Sequence, residues 1–418
     1  MLPITSLSGL DAFIVQWKNP HYIRRYQEKR LRYIVRYAYE NSVFYRNKFR
    51  ECGITPLDIC TLEDLRKIPT VTKAELRKNF PQVISKGFTE ETCTVESTSG
   101  STGERIKILH DYNALVRYGV NLLRGHMALG LKPYHKTAYI RYKPVSPNPL
   151  EKIGLFRFYH IFSDLHPGII IEKLKEINPF TINCYPTLMY ILAKQISDED
   201  VQILSPHHIV TWSEKLTPKV RETVEEKFGC PVYDQYGAYE FHSVAFECQK
   251  KRMHINADTL IMEFLRDGEP AAPGERGEIV MTNLWNRAMP FIRYKIGDIG
   301  VFSDDTCECG RGLPLIGDLE GRIEDFCQTV TGEIVLPSRV ITLFYPYEEI
   351  DAFQVVQRKR DEIRIKVVRG DNYSRTVENE ILDKFKTIFG EDSTIKMEYV
   401  KEIEKKEGKR RVVVCEVK

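Results

Sequence analysis

The run Ser97-Thr98-Ser99-Gly100-Ser101-Thr102-Gly103 concentrates hydroxyls and glycines in seven positions. Glycines let a backbone turn tightly and bring its N–H groups close to a ligand. N–H groups and hydroxyls together suit phosphate oxygens. No Gly-Lys-Ser/Thr follows, so the run is not a Walker loop. The same composition also builds a flexible surface loop.

A second group of residues suits a metal. Cys307-Glu308-Cys309-Gly310 is a compact thiolate pair in a Gly-rich turn, and Cys248 and His254 lie in FECQKKRMHINAD. Three sulfurs and one imidazole satisfy tetrahedral Zn²⁺, and four protein ligands leave no open position, so the expected role is structural. The C-x-C spacing is tighter than the usual C-x₂-C. Reduced, free cysteines in a turn are the alternative in a reducing compartment.

The elements that must position these residues read as α/β. Residues 22–50 carry aromatics and aliphatics at helical spacing. Short helices are expected over 54–80, with Thr61 before Glu63 and Asp64, and Thr72 before Glu75, as starts. β-branched residues on both sides of the hydroxyl–glycine run predict strand, loop, strand. From 112 to 235, helical segments alternate with short strands, read as TAYIRY, GIII, TINCYP, HIVTWS and PVYDQY. Residues 254–302 are β-rich. GDLEGRIED at 317–325 suits a hinge, and a hairpin, a helix over 374–389 and two strands follow. This predicts a large N-terminal domain of several subdomains over 1–320 and a small, mobile α+β lid over 321–418.

Composition narrows the function classes. The formal net charge is +3, from 61 basic and 58 acidic residues. So even a balance gives no electrostatic case for nucleic acid or an anionic membrane. No apolar stretch approaches a membrane span of about 18 to 20 residues. The start has no basic, apolar and small-residue series of a signal peptide, which predicts a cytoplasmic protein. The expected assembly is a monomer or a homodimer.

Taken in order along the chain, five segments resemble the adenylate-forming superfamily of acyl-CoA synthetases, peptide-synthetase adenylation domains and luciferases. They are STSGSTGE, Trp212-Ser213-Glu214-Lys215-Leu216, Tyr236-Gly237-Ala238-Tyr239-Glu240, Arg293-Tyr294-Lys295-Ile296-Gly297-Asp298 and Gly321-Arg322-Ile323-Glu324-Asp325, with Gly408-Lys409-Arg410 near the close. YAYENSVFYRNKF and LRKIPTVTKAELRKN are similar to the phenylacetate–CoA ligase branch and its CapK-like members. The resemblance runs from about residue 28 to the end. It implies activation of a carboxylic acid by ATP and Mg²⁺ as an acyl-AMP, with CoA as first acceptor.

The resemblance also assigns roles. Ser99, Gly100, Ser101, Thr102 and Gly103 would cradle the β- and γ-phosphates. Ser213, Glu214 and the residues to Leu216 would line the adenine site, with Tyr236 stacked on the base beside Gly237. Glu240 would hold Mg²⁺, Asp298 would accept from the ribose hydroxyls, and Arg322 would position the nucleotide near the hinge. Lys409 would bridge the carboxylate and α-phosphate, a task suited to a compact charge on a flexible stem. Similar Cys/His positions occur in that branch. Read without the family, Tyr236 also suits a core, Asp298 a turn, and Lys409 a solvated basic run.

Two segments depart from the branch. Thr331-Gly332-Glu333-Ile334-Val335-Leu336-Pro337 stands where phenylacetate–CoA ligases carry a Gly-Val-Asn-Val-Phe-Pro-like segment, and Glu104-Arg105 stands where many relatives have Lys-Pro. The first leaves an amine or hydroxyl open as second choice of acceptor, and a non-catalytic nucleotide-binding homologue as a further reading. The acid pocket is expected between about 140 and 240, where Phe156, Phe158, Tyr159 and Tyr185 serve either as lining or as core.

Overall fold

The computed structural model describes residues 9–97, 106–141, 149–163, 165–322, 326–335, 337–344, 346–347, 349–370, 372–404 and 411–417. The chain is α/β, with a larger N-terminal and a smaller C-terminal domain.

The chain opens with helices α1 (Asp11–Val15), α2 (Pro20–Asn41), α3 (Val43–Glu51) and α4 (Lys73–Lys78). Leu31, Ile34, Val35 and Ala38 of α2 recur at helical spacing and enter the main core. Thr72 caps α4 in a reciprocal box with Glu75. Thr61 donates to Asp64 through its N–H and hydroxyl ahead of a 3₁₀ turn at Glu63–Lys67.

Strands β1 (Thr94–Ser97) and β2 (Lys107–His110) pair antiparallel and bracket the hydroxyl–glycine run. Helix α5 (Tyr112–Ala128) follows, capped by Asp111. Then come β3 (Lys136–Arg141), β4 (Arg157–Phe162), α6 (Pro167–Ile177), β5 (Thr181–Cys184), α7 (Pro186–Gln195), α8 (Asp198–Leu204), β6 (His208–Trp212), α9 (Pro218–Phe228) and β7 (Val232–Ala238). These five strands run parallel in the order 7-6-5-3-4. One face of them, with Ile140, Ile182, Ile209 and Val232, packs dry against Ile170, Leu174, Leu192 and Val224 of the helices.

The GIII segment corrects the strand expected there. Gly168 to Ile171 begin helix α6, with Pro167 in the first turn and His166 capping Gly168. A β-branched run reads as strand by propensity, but Ile170, Ile171 and Leu174 fall on one helical face and are buried.

The same sheet continues antiparallel through β8 (His242–Glu247), β9 (Met253–Ile255), β10 (Leu260–Arg266), β11 (Glu269–Pro270), β12 (Arg276–Asn283), β13 (Tyr294–Ser303) and β14 (Leu315–Arg322), to twelve strands. Residues 317–322 of the expected hinge segment thus lie in β14, and 323–325 are outside the described residues.

The C-terminal domain holds a short pair, β15 (Cys327–Gln328) with β16 (Ile334–Val335), then α10 (Pro337–Thr342). Its main sheet is β17 (Ile350–Lys359), β18 (Glu362–Arg369), β19 (Thr394–Tyr399) and β20 (Val413–Cys415) in the order 19-18-17-20. Helix α11 (Arg375–Phe389) buries Val377, Ile381, Phe385 and Phe389, every fourth residue, in a separate apolar core.

Candidate functional site

In a parallel sheet, ligands collect at the carboxyl ends of the strands. Here β6 ends at Trp212 and β7 at Ala238, and Trp212 is in register with Gln235. Ser213 therefore sits beside Tyr236. It holds a left-handed φ of 75°, a costly conformation for a residue with a β-carbon. Glu214 accepts from the Thr187 N–H at 3.1 Å. A β-carbon at Gly237 would lie 2.6 Å from the His242 carbonyl oxygen, so the turn out of β7 requires glycine.

Tyr236 donates its hydroxyl to Asp298 of β13 at 2.5 Å. Tyr294 donates to Glu240, a buried carboxylate, at 3.0 Å. Asp298 is paired across the ladder with Arg322. The structure thus brings Tyr236, Gly237, Glu240, Asp298 and the Arg322 backbone to one region, with Ser213 and Glu214 at the neighbouring strand end. Ser99, Gly100, Ser101, Thr102, Gly103 and Lys409 lie outside the described residues, as does the Arg322 side chain.

A clamp that the motifs do not reveal links this region to β1. Glu96 lies 3.6 Å from His110 Nε2 and 3.3 Å from His242 Nε2. His110 Nε2 is also 3.0 Å from the Tyr239 carbonyl, and its Nδ1 faces the Asn286 amide at 3.4 Å. That arrangement makes Nε2 the nitrogen that donates to the Tyr239 carbonyl, and the Glu96 carboxylate lies between the two imidazoles at ion-pair distance. Burial opposes its charge, but the two imidazoles outweigh burial and hold it well below the usual carboxylate range. Glu96 immediately precedes the hydroxyl–glycine run and His242 follows Glu240 by two residues, so the clamp ties the two motifs together. The only sequence signal was this proximity to two motifs.

The Cys/His set does converge. Cys248 Sγ is 3.6 Å from Cys307 Sγ, Cys309 Sγ is 3.2 Å from His254 Nε2, and the four donor atoms lie within 4.8 Å of one another. His254 Nδ1 faces the Leu313 carbonyl at 3.3 Å, which directs Nε2 to the sulfurs. Burial pushes His254 down to about 4, leaving a neutral imidazole. These spacings suit a tetrahedral ion with metal–sulfur bonds of about 2.3 Å.

Under the nucleotide-side motifs lies a further carboxylate. Asp234 of β7 accepts from Thr211 at 2.8 Å, near Glu247, whose oxygens bind Arg221 at 2.7 and 3.0 Å. Burial, then repulsion from Glu247, raises Asp234 to about 7. An acid with a raised folded pKa favours folding while protonated. That advantage is complete below the unfolded value of about 4 and is lost as pH rises through the folded value. Asp234→Asn should therefore raise the melting midpoint by several degrees at about pH 8.5 and change it little near pH 4.5. Calorimetry at the two pH values checks the difference.

Residues 328–416 match the CapK C-terminal domain family. A phenylacetate–coenzyme A ligase of Thermus thermophilus is 29% identical over 377 residues, covering 86% of this chain and 84% of that protein. The protein CapK of Staphylococcus aureus is 24% identical over 418 residues, covering 94% and 89%. Over most of its length the chain is thus similar to phenylacetate–coenzyme A ligases and to CapK. The fold agrees. 2-Hydroxyisobutyryl-CoA ligase, solved in the postadenylation state with 2-HIB-AMP, superposes with a TM-score of 0.76 at 20% identity, covering 93% of this chain and 88% of that one.

Proposed function

We propose that the protein is an AMP-forming acid ligase. It joins a carboxylic acid to the AMP moiety of ATP with release of pyrophosphate, then passes the acyl group to CoA. The observation that carries this is the meeting of Tyr236, Glu240 and Asp298 at the carboxyl ends of the parallel strands, tied through Glu96 to the strand that leads into the hydroxyl–glycine run. The names of the relatives, phenylacetate–coenzyme A ligases, support it.

Attack of a carboxylate on the α-phosphate brings two anions together, so the protein must neutralise charge and hold the groups in line. Ser99 to Gly103 hold the outer phosphates. Glu240, a hard oxygen donor, holds Mg²⁺, which supplies charge neutralisation when bound. Asp298 takes the ribose hydroxyls, Tyr236 the adenine face, Ser213 and Glu214 the adenine edge, and Arg322 the nucleotide near the hinge. Lys409 bridges the two reacting anions. The large domain spans 1–320 and the lid 321–418, and lid rotation lets Lys409 withdraw and CoA approach.

Cys248, His254, Cys307 and Cys309 hold one Zn²⁺ that staples the β8–β9 turn to the 307–310 turn. Metal analysis should find about one zinc per chain, and Cys309→Ala with chelator should lower the melting midpoint by several degrees. Metal-free protein of unchanged stability would remove zinc from the account. No disulfide joins any of the ten cysteines, which suits the reducing cytoplasm, and no helix among the described residues is long and apolar enough to cross a membrane. Either a monomer or a homodimer is compatible with this reading.

The departure at residues 331–337 favours one second reading, transfer to an amine or hydroxyl instead of CoA. Thermal melting tests nucleotide binding, the step all readings share, and acid-dependent pyrophosphate release separates the catalytic readings from a non-catalytic nucleotide binder. Saturating ATP–Mg²⁺ at about 100 times its dissociation constant should stabilise the fold by about 2.7 kcal/mol. Absence of any shift would count against nucleotide binding. A thioester formed from acid, ATP and CoA identifies the acceptor.

A further inference from the structure

The face of the parallel strands opposite the dry helical layer is polar where it nears the strand ends. Tyr139, Asn183, Val210 and Tyr233 are neighbours in register across β3, β5, β6 and β7. Side chains alternate along a strand, so Arg141, Asn183, Trp212 and Gln235 share that face. Helix α5 lies over it, with His126 Nε2 2.8 Å from the Tyr139 hydroxyl.

Arg141 reaches across β5 and lays its guanidinium over the Trp212 ring, 5.4 Å from the centroid. Trp212 in turn rests against Tyr185 at 4.8 Å. Beneath them Asn183 is fully buried. Both amide atoms of Asn183, Nε of Arg141, Nε1 of Trp212 and Nε2 of Gln235 are buried without a hydrogen-bond partner among the described residues. Nor does any described carboxylate pair with Arg141.

Buried polar groups are normally satisfied, and each one left bare costs its full desolvation. Four of these five atoms or groups are N–H donors, one of them on a permanent cation. Such a set complements an anionic, oxygen-rich group. An acid that is only hydrocarbon beyond its reacting carboxylate would leave every one of them bare. The reacting carboxylate belongs at the strand ends near Glu240, so the rest of the acid runs along this face.

We propose that the acid substrate carries a second carboxylate, recognised by Arg141 together with the Asn183 amide and the Trp212 N–H. This rests on the acid-ligase reading above and narrows its substrate class to dicarboxylic acids.

The test compares matched acids, glutarate against butyrate and para-carboxyphenylacetate against phenylacetate, by acid-dependent pyrophosphate release. Wild-type protein should favour at least one dicarboxylate over its partner by about 100-fold or more in kcat/KM. Arg141→Gln should abolish that preference while changing the monocarboxylate by no more than a few-fold, and Arg141→Lys should retain part of it. Arg141→Gln that lowers both acids of a pair by the same factor would overturn the proposal, because Arg141 would then serve the reacting centre. Preference of the wild type for the monocarboxylate in both pairs would overturn it too. Pyrophosphate release from none of the acids, with no thermal shift from ATP–Mg²⁺, would instead sink the acid-ligase reading and this inference with it.

Discussion

Lys409→Ala should lower acid-dependent pyrophosphate release by about 100- to 1,000-fold, the usual effect of removing one preorganised group that meets developing charge. ATP–Mg²⁺ should still raise the melting midpoint of the variant. The assigned role explains the split. In the proposed mechanism Lys409 would bridge carboxylate and α-phosphate as the new bond forms, whereas the phosphates, ribose and base would be held by residues of the large domain. Loss confined to kcat, with ATP binding kept, marks an interaction made chiefly in the transition state. If release is unimpaired in the variant, the lysine is misassigned and another cation must serve.

Asp258→Ala should cost about 3–5 kcal/mol of stability, the largest structural effect expected of a single substitution here. Arg117 and Arg124 of α5 are both wholly buried and both bind Asp258, Arg124 at 2.8 and 2.9 Å. Arg117 also binds Asp11 and lies over Trp285, 4.7 Å from its centroid. Without Asp258, two cations in the interior keep only part of their compensation. Burial raises the Asp258 pKa, but the two guanidiniums outweigh it and hold the group below its ordinary value. The contribution is therefore present above the unfolded carboxylate value of about 4 and is lost as pH falls through the folded one. Urea denaturation at neutral pH measures it. A variant within about 1 kcal/mol of wild type would show that the network is nearly neutral in net stability, as an exposed ion pair is.

Much of this was legible in the sequence, for physical reasons that particular residues make plain. The strands TAYIRY, TINCYP, HIVTWS and PVYDQY form because their apolar faces are buried in a parallel sheet, and such strands read as dense β-branched runs. GIII failed by the same rule. Its isoleucines look like a strand until Pro167 and His166 start a helix that buries them on one side. The Cys/His set was legible because sulfurs and imidazole are rare and lie in two short segments. Its convergence on a four-donor cluster is visible only in three dimensions.

The remaining site features depend on contacts that sequence does not carry. Glu96, His110 and His242 come from three elements and meet only because β1, β2 and the turn after Glu240 converge. Arg117 and Arg124 look like ordinary helix-surface bases in sequence, and nothing nearby marks Asp258 as their partner. The unsatisfied polar face around Asn183 follows from strand register, which a one-residue slip would invert. The aromatics of this region were expected to serve either as lining or as core, and Tyr185 is buried there, its ring tilted against that of Trp212.

The central claim, adenylation of an acid, is tested most directly by pyrophosphate release from ATP–Mg²⁺ across aryl, fatty, amino, sugar and dicarboxylic acids, each with and without CoA. The account predicts release that depends on the acid, is lost in Lys409→Ala, and yields a thioester when CoA is present. Pyrophosphate released at the same rate with no acid, or no release with any of them from protein that ATP–Mg²⁺ does not stabilise, would contradict it.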